Sequence, residues 1–186
     1  MRVPSGLASR LRIFKFRAFG ASIGPGCRLM RIDMPKNPWD VRLDEGTALD
    51  NGVTLLCIGP RQAKPRIHIG ARSYVNRWTM FDASLSITVG PDVMIGPSCY
   101  ITDHDHGTEP GHPVSAQPLI EAPVAIERNV WLGAGVVMLK GVTIGEGAVV
   151  GAGSVVNRSI PPGARVAGVP ARPLRLMTSV TASGLS

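Results

Sequence analysis

The chain has 186 residues, enough for one domain with a real hydrophobic core but too few for two domains of ordinary size. Apolar residues make up 44% of it and aromatic residues 5%, and 22 Gly and 16 Pro indicate many tight turns, so short strands are favoured over long helices. The formal charge of +7 is concentrated near the two ends, which argues against a nucleic-acid duplex as partner. The three cysteines form no CxxC pair, and neither a signal peptide nor a membrane span is evident, so we expect a cytoplasmic protein without a disulfide framework.

The first predicted element is a basic amphipathic segment over residues 1–22. It has no acidic residue between positions 2 and 17. Two interpretations remain open: a helix that packs over the start of the domain, which we favour, or a helix that contacts anionic lipid at the inner face of the membrane. The apolar residues that indicate this helix recur at helical spacing, and they are Leu7, Leu11, Phe14 and Ala18.

A six-residue repeat begins weakly around residues 23–27, is not traceable over residues 30–66, and becomes regular from about residue 67. A large aliphatic or aromatic residue then occupies every sixth position, until the frame slips by two residues and resumes. The slip predicts a bulge or a longer corner. The positions concerned are Ile69, Val75, Phe81 and Ile87 before the slip, and Val89, Ile95 and Ile101 after it.

The repeat stops between about residues 102 and 122, where a polar stretch rich in Pro, Gly and His predicts an extruded loop. This stretch begins with Thr102-Asp103-His104-Asp105-His106-Gly107, which contains two of the four histidines of the chain. Loops that are held by a rigid scaffold often carry the chemistry of a protein. We therefore regard the segment as the candidate reactive site.

The repeat is clearest in the C-terminal third of the chain. A period of six fits neither a helix nor a plain strand, but it fits a short strand and a corner that recur. The first, aliphatic series is Ile126, Leu132, Met138, Ile144, Val150 and Val156. The second series, four residues after each of these, is Val130, Val136, Val142, Ala148, Ser154 and Ile160.

These repeats resemble those of the hexapeptide-repeat acyltransferases. The resemblance implies an all-β fold, a left-handed parallel β-helix built as a triangular prism of hexapeptide coils, with a short N-terminal helix and an extruded loop. It places the acyltransferase domain at residues 23–175 and leaves residues 176–186 as a flexible tail. It also implies a homotrimer.

The segment Tyr100–Gly107 resembles the catalytic segment of maltose, galactoside and O-antigen acetyltransferases. Acyl transfer to a hydroxyl needs a base near neutral pKa, for which His is the usual choice. Counting five positions from the inward Ile101 favours His106, with His104 as the rival and Asp103 in support. No Ser or Cys stands beside a base, so we expect direct attack without an acyl-enzyme.

The resemblance also nominates binding residues. The segment around Asn76 resembles the acceptor site of the sugar acetyltransferases and nominates Asn76 and Asp82 for the acceptor hydroxyls. The C-terminal coils resemble the site for acetyl-CoA, the expected co-substrate. The residues nominated there are Trp131, Gly133, Ala134, Gly151, Ala152, Asn157, Arg158, Arg172 and Arg175.

The sequence thus predicts a coenzyme A-dependent O-acetyltransferase that acts on a hydroxyl of a sugar or of a polysaccharide or lipopolysaccharide precursor, with no metal ion. N-acylation remains an alternative to O-acylation. A γ-type carbonic anhydrase on the same prism is a second alternative, with His68, His112 and either His104 or His106 as zinc ligands. A non-catalytic β-helix scaffold is the third.

Overall fold

The computed structural model describes residues 5–174. These residues form one α-helix, two single-turn 3-10 helices at Pro38–Asp40 and Val114–Ala116, and 21 short strands. The helix is α1 (Ser5–Ala18). The strands are β1 (Ser22–Ile23), β2 (Arg28–Leu29), β3 (Val41–Leu43), β4 (Ala48–Leu49), β5 (Thr54–Cys57), β6 (Ile67–Ile69), β7 (Tyr74–Val75), β8 (Met80–Ala83), β9 (Ile87–Val89), β10 (Met94–Ile95), β11 (Tyr100–Thr102), β12 (His104–His106), β13 (Leu119–Glu121), β14 (Val124–Ile126), β15 (Trp131–Leu132), β16 (Val137–Met138), β17 (Thr143–Ile144), β18 (Val149–Val150), β19 (Val155–Val156), β20 (Arg165–Ala167) and β21 (Arg172–Pro173).

Nineteen of the strands form three sheets whose members are parallel except for β21, and the chain visits these sheets in rotation. Sheet A has the order β1-β3-β6-β9-β14-β17, sheet B the order β2-β4-β7-β10-β15-β18-β20-β21, and sheet C the order β19-β16-β11-β8-β5. Each complete turn therefore has three sides. The register pairs Ile126 with Ile144, three hexapeptides further on, so the six-residue period is one side of the column.

The interior of the column is filled by the two predicted series. All six aliphatic residues from Ile126 to Val156 are at most 2% exposed, and the small residues of the second series are buried beside them. In earlier coils the corresponding positions hold Ser73 and Thr79, whose hydroxyls bond across to the next coil: Ser73 donates to the Gly90 carbonyl, and Thr79 to the Gly96 carbonyl. These contacts satisfy hydroxyls that would otherwise be costly to bury. The predicted core is confirmed.

The predicted slip falls at the corner between β8 and β9. Ser84, Leu85 and Ser86 form a corner between sheet C and sheet A, and the inward series continues after it. The untraced residues 30–66 also belong to the column, since β3, β4 and β5 extend the same three sheets. Their frame is hidden by two excursions, one of which contains the 3-10 helix Pro38–Asp40.

The extruded loop leaves the column after β11 and returns at β14. Its base is ordered, because β12 and β13 pair as an antiparallel ribbon. The Ala122 amide donates to the Asp103 carbonyl at 2.9 Å and closes the base of the loop. The loop predicted at about residues 102–122 is thus present, with regular structure at its root.

Helix α1 packs over the first coil, but through other residues than the apolar ones that indicate it in the sequence. The packed side holds Ser9, which accepts a hydrogen bond from the Leu29 amide at 2.9 Å, together with Ile13 and Phe16. The reason is that the first coil has no preceding coil to pair its backbone, so polar side chains of the helix take that place. The outward residues Leu7, Leu11 and Phe14 are between 52% and 75% exposed. Within residues 5–174, no helix has the length and apolar character needed to cross a bilayer.

Candidate active site

The candidate site lies at the edge between sheets C and A, where the extruded loop leaves the column. Asp103 is completely buried there. Its carboxylate accepts three backbone hydrogen bonds from the long corner, from the amides of Ser84 at 2.8 Å, Leu85 at 2.9 Å and Ser86 at 2.6 Å. The extra length of this corner turns its amides inward, and Asp103 supplies the acceptor that they need.

His104 is oriented by the same carboxylate. Its Nδ1 lies 3.0 Å from Oδ1 of Asp103, and its side chain is only 9% exposed. The Asp103 carboxylate already accepts hydrogen bonds from three backbone amides and faces Nδ1 as a further acceptor, so Nδ1 of His104 carries the proton. The lone pair of the neutral imidazole is therefore on Nε2, which is the atom available to accept a proton.

Asp82 stands opposite that nitrogen. Its Oδ1 lies 3.9 Å from Nε2 of His104, too far for a hydrogen bond, and among the described residues this buried oxygen has no hydrogen-bond partner. Its Oδ2 accepts a hydrogen bond from the Tyr100 hydroxyl at 2.8 Å. Burial, followed by this bond, raises the pKa of Tyr100, so the hydroxyl remains a donor at neutral pH. Asp82 thus presents one free oxygen beside the free nitrogen of His104.

His106 occupies a different environment. It lies on the exposed ribbon, in register with Leu119, and neighbouring Asp105 receives a hydrogen bond from Lys140. The geometry therefore favours His104 as the base, whereas the spacing in the sequence favours His106. The count from Ile101 assumes that the chain continues along the coil, but the chain turns out of the column at Asp103.

Asn76 is not brought to this cluster. It lies at the edge between sheets B and C, where its Oδ1 accepts a hydrogen bond from the Arg77 amide at 2.8 Å.

Sequence reasoning missed Tyr100 and the three corner amides as parts of the site. The two-residue slip was the signal for the corner, but nothing local indicates what the corner binds.

The residues nominated for the coenzyme fall into two groups on opposite edges of sheet C. Gly133, Ala134, Gly151 and Ala152 lie at the edge with sheet B. There Gly133 allows the coils to stack, since a Cβ on it would lie 2.6 Å from the Ala152 amide nitrogen. The second group, exposed Asn157 and Arg158, lies on the same edge as His104, two coils further along.

Two other nominated residues lie away from both edges. Trp131 projects from sheet B and is 55% exposed, and Arg172 is exposed on β21. Arg175 lies outside the described residues.

The cysteine thiols are poorly placed for nucleophilic catalysis. Cys27, Cys57 and Cys99 are free and buried. Burial is the main factor that raises the pKa of each, in the case of Cys57 to about 12. The thiolate form that would attack a thioester is therefore disfavoured in all three.

The zinc arrangement of the carbonic anhydrase alternative is not formed by the histidines. His68 projects from β6 in sheet A, and its Nε2 lies 2.8 Å from Asp44. His112 lies in the exposed part of the extruded loop. Over residues 5–174, no group of three or more His, Cys, Asp or Glu side chains is arranged to hold a metal ion.

Comparisons with known proteins concern both the repeat and the fold of this chain. Residues 123–158 match the family model of the bacterial transferase hexapeptide (six repeats). A hexapeptide-repeat-containing acetyltransferase from Vibrio cholerae, solved with acetyl coenzyme A, is 28% identical, with 91% of this chain and 78% of that chain covered and a TM-score of 0.62. The chain thus has the repeat and the fold of the hexapeptide-repeat acyltransferases. Its column is accordingly a left-handed parallel β-helix, which confirms the predicted fold.

A second structural neighbour of this chain is AntD, an N-acyltransferase from Bacillus cereus. AntD was solved with dTDP and 3-hydroxybutyryl-CoA, and it is 21% identical, with 88% of this chain and 87% of that chain covered and a TM-score of 0.74. At this identity the likeness establishes the fold alone. No curated protein matched this acyltransferase by sequence.

Proposed function

We propose that this acyltransferase moves an acetyl group from acetyl-CoA to a hydroxyl of a sugar, or of a polysaccharide or lipopolysaccharide precursor, with His104 as general base. The observation that carries the proposal is the imidazole of His104, whose Nδ1 is bound by Asp103 and whose Nε2 faces the free oxygen of Asp82. The Vibrio cholerae neighbour, solved with acetyl coenzyme A, supports the choice of donor.

The reaction follows from this geometry in one displacement. Nε2 of His104 takes the proton of the acceptor hydroxyl while its oxygen attacks the thioester carbonyl. The C–S bond then breaks, and the coenzyme A sulfur leaves with the proton that the imidazolium returns. Asp103 holds the ring and stabilises its charged form, as the buried Asp of a catalytic triad does. Asp82 contributes a second carboxylate beside the imidazolium and an acceptor for a neighbouring hydroxyl of the sugar.

The acceptor atom is either a hydroxyl oxygen or an amine nitrogen of the sugar. The resemblance of the His104 segment to the O-antigen acetyltransferases favours a hydroxyl, whereas the neighbour AntD, solved also with dTDP-4-amino-4,6-dideoxyglucose, is an N-acyltransferase. Matched sugars that differ only in carrying a hydroxyl or an amino group at one carbon separate the two. Faster coenzyme A release with the hydroxyl sugar is expected, and turnover of the amine alone would overturn O-transfer.

Binding of acetyl-CoA is proposed at the nominated C-terminal residues, between protomers of a homotrimer. Gly133, Ala134, Gly151 and Ala152 lie on the opposite edge of sheet C from His104 and Arg158. An edge of one protomer set against an edge of its neighbour would bring the two groups to one coenzyme. Asn157 and the guanidinium groups of Arg158, Arg172 and Arg175, with Trp131, would then contact the nucleotide end.

Sedimentation velocity tests the trimer, and a monomeric active enzyme would refute it. Arg158→Ala tests the phosphate contact. It is expected to raise the KM for acetyl-CoA about 10-fold with little change in kcat, since one charge-assisted contact is lost. An unchanged KM would remove Arg158 from the coenzyme site.

The assignment of the base is tested by two alanine variants. Thioester cleavage is measured with a panel of sugar acceptors for wild type, His104→Ala and His106→Ala. Loss of the base is expected to lower kcat by about 10²- to 10⁴-fold in His104→Ala and to change His106→Ala little. The reverse pattern would return the role to His106, and full activity in both variants would overturn histidine base catalysis.

Peripheral contact with the inner face of the cytoplasmic membrane is part of the proposal. Leu7, Leu11 and Phe14 form an exposed apolar stripe on α1 beside the cationic Arg10 and Lys15, a pattern that suits an anionic bilayer surface. Binding to vesicles rich in phosphatidylglycerol is expected for wild type and is expected to be lost in Phe14→Asp. Equal binding of both proteins to these vesicles, or none by either, would refute the contact.

A further inference from the structure

A buried ion pair contacts the long corner, residues 84–86, that binds Asp103. Arg66 and Asp40 are 2% and 1% exposed, and Nη1 of Arg66 lies 2.5 Å from Oδ2 of Asp40. Removing two charges from water costs about as much as their attraction returns, so such a pair is a weak source of net stability. Its position in the fold is the better guide to its role.

The guanidinium of Arg66 fixes three separate pieces of chain. Nη1 binds Asp40 at the end of the 3-10 helix, Nη2 donates to the Pro60 carbonyl in the excursion after β5, and Nε donates to the Ser84 carbonyl at 2.7 Å. The planar fork of arginine makes such divergent contacts, which the single ammonium of lysine does not reproduce. Arg66 thus joins both N-terminal excursions to the long corner.

The contact with Ser84 leads directly to the candidate base. The Ser84 amide donates to Oδ1 of Asp103, and the same oxygen accepts Nδ1–H of His104. The Ser84 hydroxyl also donates to Glu121, at the other root of the extruded loop. Displacing the Ser84 peptide would therefore move the acceptor that sets the orientation and tautomer of the imidazole.

We propose that Arg66, held by Asp40, is a positioning residue that sets the geometry of His104 through the Ser84 peptide and Asp103. The inference rests on the proposed role of His104 as the base. It also gives the irregular residues 30–66 a function, since their excursions carry the two members of the pair into place.

The test compares Arg66→Met and Arg66→Lys with a matched control, Arg72→Met. Arg72 makes a bidentate pair with Asp92, but that pair is on the surface. Three quantities are measured on the full chain: kcat and KM for acetyl-CoA, the thermal midpoint, and the ¹⁵N shifts of His104 without ligand. The ¹⁵N shifts report the tautomer whether or not the protein proves to be an acetyltransferase.

In wild type and in Arg72→Met, His104 is expected to be fixed as the Nδ1–H tautomer. In Arg66→Met it is expected to become a mixture, with kcat about 10- to 100-fold lower and KM changed less than about twofold, because a small misplacement of a catalytic group is costly. Arg66→Lys keeps the charge opposite Asp40, so it is expected to recover the thermal midpoint but not kcat. Should Arg66→Met fail to fold, Arg66→Lys carries the comparison alone.

A fixed Nδ1–H tautomer and wild-type kcat in both Arg66 variants would overturn the proposal and leave the pair a purely structural role. A wild-type protein without acetyl transfer, but with the expected ¹⁵N changes in the variants, would instead refute the proposed function and keep the positioning of His104.

Discussion

Replacing Asp103 by Asn probes the centre of the candidate site with almost no change in volume. In the native structure one oxygen accepts the Ser84 amide and Nδ1–H of His104, and the other accepts the amides of Leu85 and Ser86, at distances between 2.6 and 3.0 Å. An asparagine offers one oxygen in place of two. Whichever way the amide is turned, its NH₂ group faces two N–H donors.

The magnitude follows from that count. At least two of the four hydrogen bonds are lost, and each bond to a charged acceptor contributes about 1.5–3 kcal/mol, so the free energy of unfolding is expected to fall by about 3–6 kcal/mol. The asparagine oxygen is held best by the paired amides of Leu85 and Ser86, which leaves the NH₂ group toward His104. The imidazole then favours the Nε2–H tautomer, which does not accept the proton of a hydroxyl, and kcat is expected to fall by about 10²- to 10⁴-fold.

The assay combines coenzyme A release at saturating acetyl-CoA with urea unfolding of the same preparation. Asp105→Asn is the matched control, because Asp105 lies two residues away but is exposed, and among the described residues its side chain hydrogen-bonds only to Lys140. It is expected to keep both activity and stability near wild type. An Asp103→Asn protein with wild-type kcat would refute the reasoning, because the orientation of His104 would then not depend on this carboxylate.

Three further predictions concern the column itself. Met138→Ala removes a fully buried side chain and is expected to lower the free energy of unfolding by about 2–5 kcal/mol, measured by urea titration; a loss under about 1 kcal/mol would contradict the stacked core. Gly147 has a φ of +69° and open space around it, so Gly147→Ala is expected to lower the free energy of unfolding by about 1–2 kcal/mol. Gly133→Ala is expected to lower it by more, because the added Cβ would lie 2.6 Å from the Ala152 amide nitrogen. The reverse order of urea midpoints would refute the stacking argument. Burial raises the pKa of the Cys57 thiol from 9.0 to about 12, so the unfolded chain loses that proton first as the pH rises above 9. Wild type is therefore expected to lose stability between pH 9 and 12. Cys57→Ala should lose less stability over that range, and an equal loss would contradict the raised pKa.

The six-residue frame made the fold predictable. Each inward position, such as Ile126, Leu132 or Met138, meets its equivalent in the next coil, so the pattern of large and small residues repeats along the chain itself. The same logic gave the extruded loop, where the frame stops, and the long corner, where the frame slips. Residues 30–66 escaped because their excursions interrupt the frame, although β3, β4 and β5 continue the three sheets.

The sequence by itself determined the column, the loop and the short list of groups capable of the chemistry, because those depend on residue type and local spacing. The orientation of His104, the partners of Asp103, and the outward face of α1 were decided only by tertiary structure. The physical reason is that the orientation and tautomer of an imidazole depend on the groups that it contacts. The carboxylate that orients His104 is itself held by amides of a corner some 20 residues earlier in the chain, and that corner is fixed by the buried Arg66 and Asp40, so no local pattern records the arrangement.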